Sequence, residues 1–414
     1  VPGEDPRLPA GLLQMSVFLR VVAVEKAIEV VRSLAPPPKR EVALLPDAAG
    51  RILAEDARSD IDIPGFHRSI VDGYAVAARD THGASEAIPA VLTLAGEVVM
   101  GRAPEQPIRR GECAYIPTGG MLPPGADAVA MIEHAERIGG DVLVKRAVAA
   151  GENVLGRGED FAAGATAIPR GTRLGPQELG VLAAIGYAHV PVTAAPEIGI
   201  LSTGNELVSV SAKPGIGQVR DANSSVCSGF VREYGCIPRC YGIVPDSRES
   251  LRRALIRAVG ECDAVLVSGG SSKDERDMVA SVIGEIGEVL VHGVALQPGK
   301  PTIIGHAEGK PVIGLPGHPA SAFVVLVAIA SHLLSAMTGY ARRPCTVTAR
   351  LRENIPSSRG REEYVRVRVE NGEATPLFGK SGLLNTLVRS DGAVRVPAGS
   401  EGFEAGVEVE VLLW

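Results

Sequence analysis

The sequence predicts an α/β multi-domain protein, in which an open α/β sheet domain over about residues 195–340 is flanked by small, mostly β modules. Three observations predict it. A chain of 414 residues is too long for one hydrophobic core, since a domain takes roughly 150 residues. Between Pro196 and about residue 340, apolar strands alternate with polar-faced helices. On either side lie short runs rich in Val, Ile and Ala, broken by Gly and Pro.

In chain order, Ser16 to Leu34 carries apolar residues at helical spacing with Arg20, Glu25, Lys26, Glu29 and Arg32 between them. An amphipathic helix ending before Pro36, Pro37 and Pro38 is expected there. From about 40 to 194, AVLTLAGEVV, GECAYIPTGG, AVAMIEHAERI and DVLVKRAV predict mostly β structure in more than one module. EIGILSTG, a helix near 221–234, CIPRCYGIV, a helix over 247–259, DAVLVSGG and a helix near 275–286 form a βαβαβα series. The second helix carries a capping-box pattern, Asp246 followed three residues later by Glu249, with Leu251, Leu255, Ile256 and Val259 on one face. The longest apolar stretch, Ala322 to Leu334, is interrupted by Ser331 and His332. It is shorter than the roughly 20 residues a bilayer span needs and reads as a buried core helix. After residue 341, REEYVRVRV, AVRVPAG and VEVEVLL alternate with period two, the pattern of a separate small β domain.

A composition 45% hydrophobic and 22% charged is that of an ordinary globular protein. The net charge of -6 gives no electrostatic case for nucleic acid or a membrane surface, so local arrangement must attract any anionic ligand. Six cysteines without a secretory pattern point to a reducing, cytoplasmic compartment. Cys227, Cys236, Cys240 and Cys262 lack the paired CxxC spacing of a zinc site and read as buried thiols.

The chemistry-bearing residues collect at strand ends. Ser202-Thr203-Gly204-Asn205-Glu206, Ser268-Gly269-Gly270-Ser271-Ser272 and Leu315-Pro316-Gly317-His318-Pro319 each follow an apolar strand. In open α/β sheets such ends form the ligand crevice, and glycine lets backbone N–H groups approach a phosphate. The Walker A and GxGxxG patterns do not occur here. Glu206, Asp246, Asp274 and Asp277 sit at the same edge. Carboxylates beside phosphates imply a bridging divalent cation, Mg²⁺ above all, although an Asp at a helix start also serves as a cap. Lys300, following Pro298 and Gly299, can deliver a cation to an anion, and Arg359, Arg361 and Arg366 with Lys380 and Ser381 outline a second anion pocket. The Gly-rich strings around Asp72, Thr118 and Asp160 are poor core material and read as loops at a site, with plain turns as the alternative.

Taken together, VDGYAV, TGG-x-LP-x-GADAV, GENV-x-x-RGED, STG-x-E, SGG, PGKP and GLPG-x-P make the whole chain resemble the molybdopterin molybdenumtransferase family, the MoeA and gephyrin E-domain proteins. The resemblance implies an elongated homodimer that binds adenylylated molybdopterin with a divalent metal, cleaves its phosphoanhydride and inserts molybdate or tungstate, releasing AMP. It implies functional acids at Asp72, Asp160, Glu206, Asp246 and Asp277, with Asp246 and Asp277 as metal ligands. It places the pterin and nucleotide phosphates against Thr203, Gly204, Ser268, Gly269, Gly270 and Ser271, near Pro298, Pro316, Gly317 and Pro319. Lys300, Arg366 and Ser381 then match the oxyanion pocket, and the N-terminal acids meet the α/β domain across the dimer interface.

The expected division is residues 1–62 with 165–194, 63–164, 195–340 and 341–414. Where the family usually has STGDE this chain has Asn205; it has SSKDE for VSVGD, Gln297 for a lysine before PGKP, and His318 in GLPG-x-P. Lys273 supplies a nearby cation, so a tuned site is expected, with tungstate against molybdate as the property tuned. The α/β section also looks like the MoaB/Mog-like adenylyltransferases that prepare activated molybdopterin, which makes that activity an alternative and such an enzyme a possible partner. A non-catalytic dimeric scaffold is the third reading.

Overall fold

A computed structural model describes residues 21–269, 273–340, 342, 344–380 and 382–414, and for residues 273–277 the backbone only. Gly270, Ser271 and Ser381 therefore lie outside the described residues, as do the side chains of Asp274 and Asp277.

The open sheet is built from β1 (Glu197–Thr203), β2 (Ile237–Val244), β3 (Ala264–Ser268), β4 (Gly287–His292), β5 (Ile303–Ala307) and β6 (Lys310–Leu315), in the order β2-β1-β3-β6-β5-β4. Strands β2, β1, β3 and β6 are parallel, and β5 is antiparallel to both its neighbours. Helices α1 (Asn223–Glu233), α2 (Arg248–Glu261) and α3 (Lys273–Ile286) follow β1, β2 and β3. Strands β1 and β3 are nearly continuous apolar runs because both faces are covered. On one face Phe230 and Val231 of α1 pack with Ile200, Leu266 and Leu315; on the other Leu251, Leu255, Val279 and Ile283 pack with Leu201, Val265 and Val267. The βαβαβα reading holds here.

Register lines up the strand ends. Ser202 lies beside Ser268 and Ser268 beside Leu315, while Thr203 lies beside Val244. The chain reverses its direction of winding between β1 and β3, so these ends flank the switch point where a crevice opens.

Several sequence expectations meet the structure here. Helix α2 is capped by Ser247, whose hydroxyl accepts the Ser250 N–H at 3.2 Å, so Asp246 is not the cap and its carboxylate is turned elsewhere. The N-terminal helix runs over Val24–Leu34, and the expected stretch 16–20 lies outside the described residues; Val22 is extended, bridging to Val294 through hydrogen bonds with Gly293 and Ala295. A β-branched Val-Val pair suits that edge pairing better than a helical turn. The segment read as mostly β is β-rich, and it also holds a helix at Pro176–Ala184, with Pro at its start and Glu178 accepting the Gly175 N–H. It buries Leu182 against Leu53, Leu174 and Val192.

The apolar helix also differs in length. Helical structure, widened at Leu326–Ala330, is continuous over Pro319–Thr338, 20 residues of mean hydropathy 2.0 and long and apolar enough to cross a membrane by that measure. It is a core helix nonetheless: 67% of its apolar window is buried, and Val325, Leu333 and Met337 share one core with Val24, Ala27 and Val31. Cys113, Cys227, Cys236 and Cys262 are buried, and burial pushes the Cys227 and Cys236 thiols up to about 12. Cys240, expected to be buried, is exposed, because it lies on β2, the edge strand.

Outside the open sheet, Gly73–Val76, Ala90–Glu97, Glu112–Ile116, Ala128–Met131, Ala135–Ile138 and Asp141–Val144 form one six-stranded sheet. Arg40–Leu44 pairs with His189–Thr193, closing the chain segment that contains it. At the C-terminus, Thr346–Leu351, Glu362–Glu370, Glu373–Pro376, Gly392–Val396 and Glu408–Leu413 close into a barrel, since Glu362–Glu370 pairs with both its hairpin partner and Gly392–Val396. Leu296–Gln297, from the connection between β4 and β5, adds to that barrel beside Glu362 and Glu363. The pairing fixes the Pro298–Lys300 turn between the two domains.

Candidate active site

The β1 end supplies Thr203, whose hydroxyl donates to Asp246 Oδ1 at 2.6 Å. Asp246 Oδ2 accepts the Asn205 N–H at 2.8 Å, and the Asp246 N–H donates to Asn205 Oδ1 at 3.3 Å. Asp246 is thereby held against the β1 loop, freed from capping by Ser247. Glu206 folds back so that its carboxylate lies over Gly204: a Cβ on that glycine would come within 2.7 Å of Oε2. At the β3 end, a Cβ on Gly269 would lie 2.3 Å from Thr203 Cγ2 and 2.4 Å from the Thr203 carbonyl oxygen, so only glycine lets these loops touch.

Asn223, at the start of α1, joins the loops. Its Nδ2 donates to Ser268 Oγ at 2.6 Å and to the Gly317 carbonyl at 2.8 Å. Beside it the Asp221 carboxylate accepts from the Ser224 N–H and hydroxyl, and Ser224 in turn meets Ser202 at 2.9 Å. These ends enclose a cavity of about 340 Å³ lined by Thr203, Glu206, Asp221, Asn223, Ser268 and Gly317, among others. Asp221 and Asn223 were missed by the sequence reading. An Asp-x-Asn pair opening a helix directly after a strand-end loop is the signal that would have found them.

Two further cavities adjoin. One of about 430 Å³ shares Gly317 and His318 with the first and adds Pro298, Lys300, Pro316, Arg359 and Arg361. The other, about 350 Å³, shares Gln297 and Pro298 with that one and is lined by Glu363, Arg366, Phe378 and Lys380. Lys300 is exposed in its turn. Arg366 is only 6% exposed; its Nη2 donates to the Gly379 carbonyl, its Nε is buried without a partner, and no described carboxylate pairs with it. Burial lowers its pKa from the ordinary guanidinium value. A desolvated cation facing a cavity is a receptor for an anion. Gln297 donates to Glu363 Oε1 at 3.2 Å, and Ser357 holds Glu363 Oε2 at 2.8 Å.

The chain thus brings together Thr203, Glu206, Ser268, Gly269, Pro298, Lys300, Pro316, Gly317, Pro319 and Arg366 along three adjoining cavities, with Gly204 and Asp246 held beside them against Glu206 and Thr203 and lining none of the three. Asp72 and Asp160 line none of the three cavities. They belong to the N-terminal half, where Asp72 Oδ1 accepts from both the N–H and the hydroxyl of Thr118, at 2.7 and 3.0 Å. Among the described residues no group of three or more His, Cys, Asp or Glu side chains could hold a metal ion.

A crevice at the switch point of an open α/β sheet, continued by cavities that carry Lys300, Arg359, Arg361 and Arg366 against a C-terminal barrel, defines a multi-domain α/β protein with a ligand groove at its strand ends. Residues 199–336 match the probable molybdopterin binding domain, residues 22–186 the MoeA N-terminal region (domains I and II), and residues 348–414 the MoeA C-terminal region (domain IV). The chain belongs to the MoeA family. It is 36% identical over 376 residues to a putative molybdopterin biosynthesis protein of Methanocaldococcus jannaschii, covering 89% of this chain and 90% of the relative. The molybdopterin molybdenumtransferase of Bacillus subtilis is 30% identical over 403 residues, covering 95% and 94%. The crystal structure of the molybdopterin biosynthesis MoeA protein from Pyrococcus horikoshii OT3 superposes with a TM-score of 0.84 at 34% identity, over 95% of this chain and all of that one.

Proposed function

We propose that this chain is a cytoplasmic molybdopterin molybdenumtransferase, cleaving adenylylated molybdopterin to release AMP and inserting molybdenum into the pterin. The observation that carries the reading is the groove itself. The crevice at three strand ends is joined, through the cavity that holds Lys300, to one whose buried Arg366 has no described carboxylate to neutralise it. Full-length similarity to molybdenumtransferases, including both flanking regions, favours this activity over that of an adenylyltransferase, which the α/β domain alone would fit equally.

In this reading Thr203, Gly204, Ser268, Gly269, Gly270 and Ser271 receive the phosphates, and Lys300, Arg366 and Ser381 hold the incoming oxyanion. Asp246 and Asp277 hold Mg²⁺, which when bound neutralises the phosphoanhydride. Asp246 is suited to ligating a cation, because each of its oxygens accepts one protein hydrogen bond and keeps a lone pair. Glu206 and the acids Asp72 and Asp160, brought by the second subunit of a homodimer, complete the acidic set. Residues 1–62 with 165–194, 63–164, 195–340 and 341–414 act as the four working units. Asn205, Gln297 and His318 tune the choice between molybdate and tungstate.

The test is to incubate the purified protein with adenylylated molybdopterin, Mg²⁺ and molybdate or tungstate, following AMP and loaded cofactor beside D277A and D246A. Both products are expected from the wild type and neither from the variants. An activated pterin that binds without being cleaved or loaded would overturn the reading.

A further inference from the structure

Hydrogen-bond accounting at Asn223 leaves one acceptor over. The side chain is 7% exposed, and both hydrogens of its amide are consumed, one by Ser268 Oγ and one by the Gly317 carbonyl. The carbonyl can only accept, so it fixes which end of the amide is nitrogen. Oδ1 then remains buried with no partner, in a side chain that lines the 340 Å³ cavity. A buried carbonyl oxygen left unmet keeps its full desolvation cost, so its natural partner is a ligand donor.

The same geometry constrains Ser268, which is 2% exposed and lines the cavity. Because its oxygen accepts from Asn223, its hydroxyl proton points away from the amide, and no described residue receives it. A serine in this position is a donor to whatever occupies the crevice.

We propose that Asn223 is a positioning residue that sets the hydrogen-bond polarity of this cavity. It commits the Ser268 hydroxyl to a phosphate oxygen of the ligand, and its own Oδ1 receives a ring N–H of the same ligand. This rests on the molybdopterin reading above, and it selects a ligand that carries an anionic group and a heterocyclic N–H within one cavity's reach. A phosphorylated pterin has both; inorganic phosphate has only the first.

The test is equilibrium binding of molybdopterin to the full chain, comparing wild type, N223D, S268A and the double variant at pH 8 and pH 5. In N223D an ionised carboxylate can only accept, so Ser268 must donate to it and is withdrawn from the ligand. Binding should weaken about tenfold at pH 8, the worth of one charge-assisted hydrogen bond, and the gap to wild type should narrow at pH 5. S268A should weaken binding to the same extent at both pH values, and the double variant should be no weaker than N223D alone. Glu206, Asp221, Arg220 and His318 also line the cavity, and ratios to wild type at each pH cancel their titration and that of the probe.

Losses that multiply in the double variant would show mere repulsion by the new carboxylate and overturn the proposal. So would wild-type binding by S268A, a variant that keeps the Asn223–Gly317 tie and stays informative if N223D fails to fold. A wild type that binds no molybdopterin would instead sink the functional reading, and this proposal with it.

Discussion

Thr203 and Asp246 are joined at 2.6 Å, hydroxyl to carboxylate, across the gap between the end of β1 and the start of α2. Replacing that hydroxyl removes one of two donors that aim the carboxylate. T203V is expected to lower unfolding free energy by about 1 kcal/mol, because the site is only partly buried. It should also raise the Mg²⁺ concentration needed for half-maximal AMP release. Urea titration and an Mg²⁺ titration check the two halves separately, and an unchanged Mg²⁺ requirement would detach Asp246 from the metal.

Glycine replacement should act oppositely at two positions. In G269A the new methyl meets the Thr203 backbone, which cannot yield, and a loss of about 2 kcal/mol or more is expected. In G260A, inside α2 with nothing within 4 Å, the methyl is accommodated, and a gain of about 0.5–1 kcal/mol is expected. Denaturant midpoints that move in the same direction would contradict this account.

Asp263 provides a pH signature. Burial pushes its carboxyl up, but the Glu197 N–H at 2.9 Å and the Lys39 ammonium at 3.1 Å outweigh it and hold the pKa below the ordinary carboxylate value. A depressed folded pKa contributes stability that is present above the unfolded pKa, about 3.9, and lost as pH falls through the folded value. D263N should therefore be less stable than wild type at pH 7, with the difference shrinking below about pH 4. Urea unfolding at pH 7 and pH 3 measures it; a difference unchanged between them would remove the ionic explanation.

Arg366 should trade stability for binding. R366M removes a buried cation that no described carboxylate neutralises, so the ligand-free protein should be as stable as wild type or up to about 1 kcal/mol more stable. Molybdate should raise the melting temperature of wild type and not of R366M. A large destabilisation of R366M without molybdate would make the residue structural.

Gln297 stands where the family resemblance led to the expectation of a lysine. Its amide donates to Glu363, so a neutral donor stands in the cavity of Arg366 where the resemblance led to the expectation of a second cation. Q297K should tighten molybdate retention about tenfold, one charge-assisted contact's worth, and alter the molybdate-to-tungstate ratio in competition. Identical preference in both proteins would leave the tuning idea without support.

The legible part of this protein was what local chemistry dictates. Apolar runs and helical spacing placed β1 to β3 and α1 to α3, and Gly-rich strand ends marked the crevice. Where one residue's alternatives differ by little, the sequence misled: Asp246 and Ser247 are both good caps, and tertiary contact with Thr203 took Asp246 out of that competition.

By itself, then, the sequence determined the alternation that makes an open sheet, the glycines that let loops approach, and the family motifs carried on them. Only the tertiary structure decided that Leu296–Gln297 would pair with the C-terminal barrel, that Arg366 would be buried opposite Pro298, and that Asn223 would tie Ser268 to Gly317. Those relationships join residues 45 to 94 positions apart, or whole domains. Hydrophobic periodicity reports which face of an element is buried; it does not report which distant element covers that face.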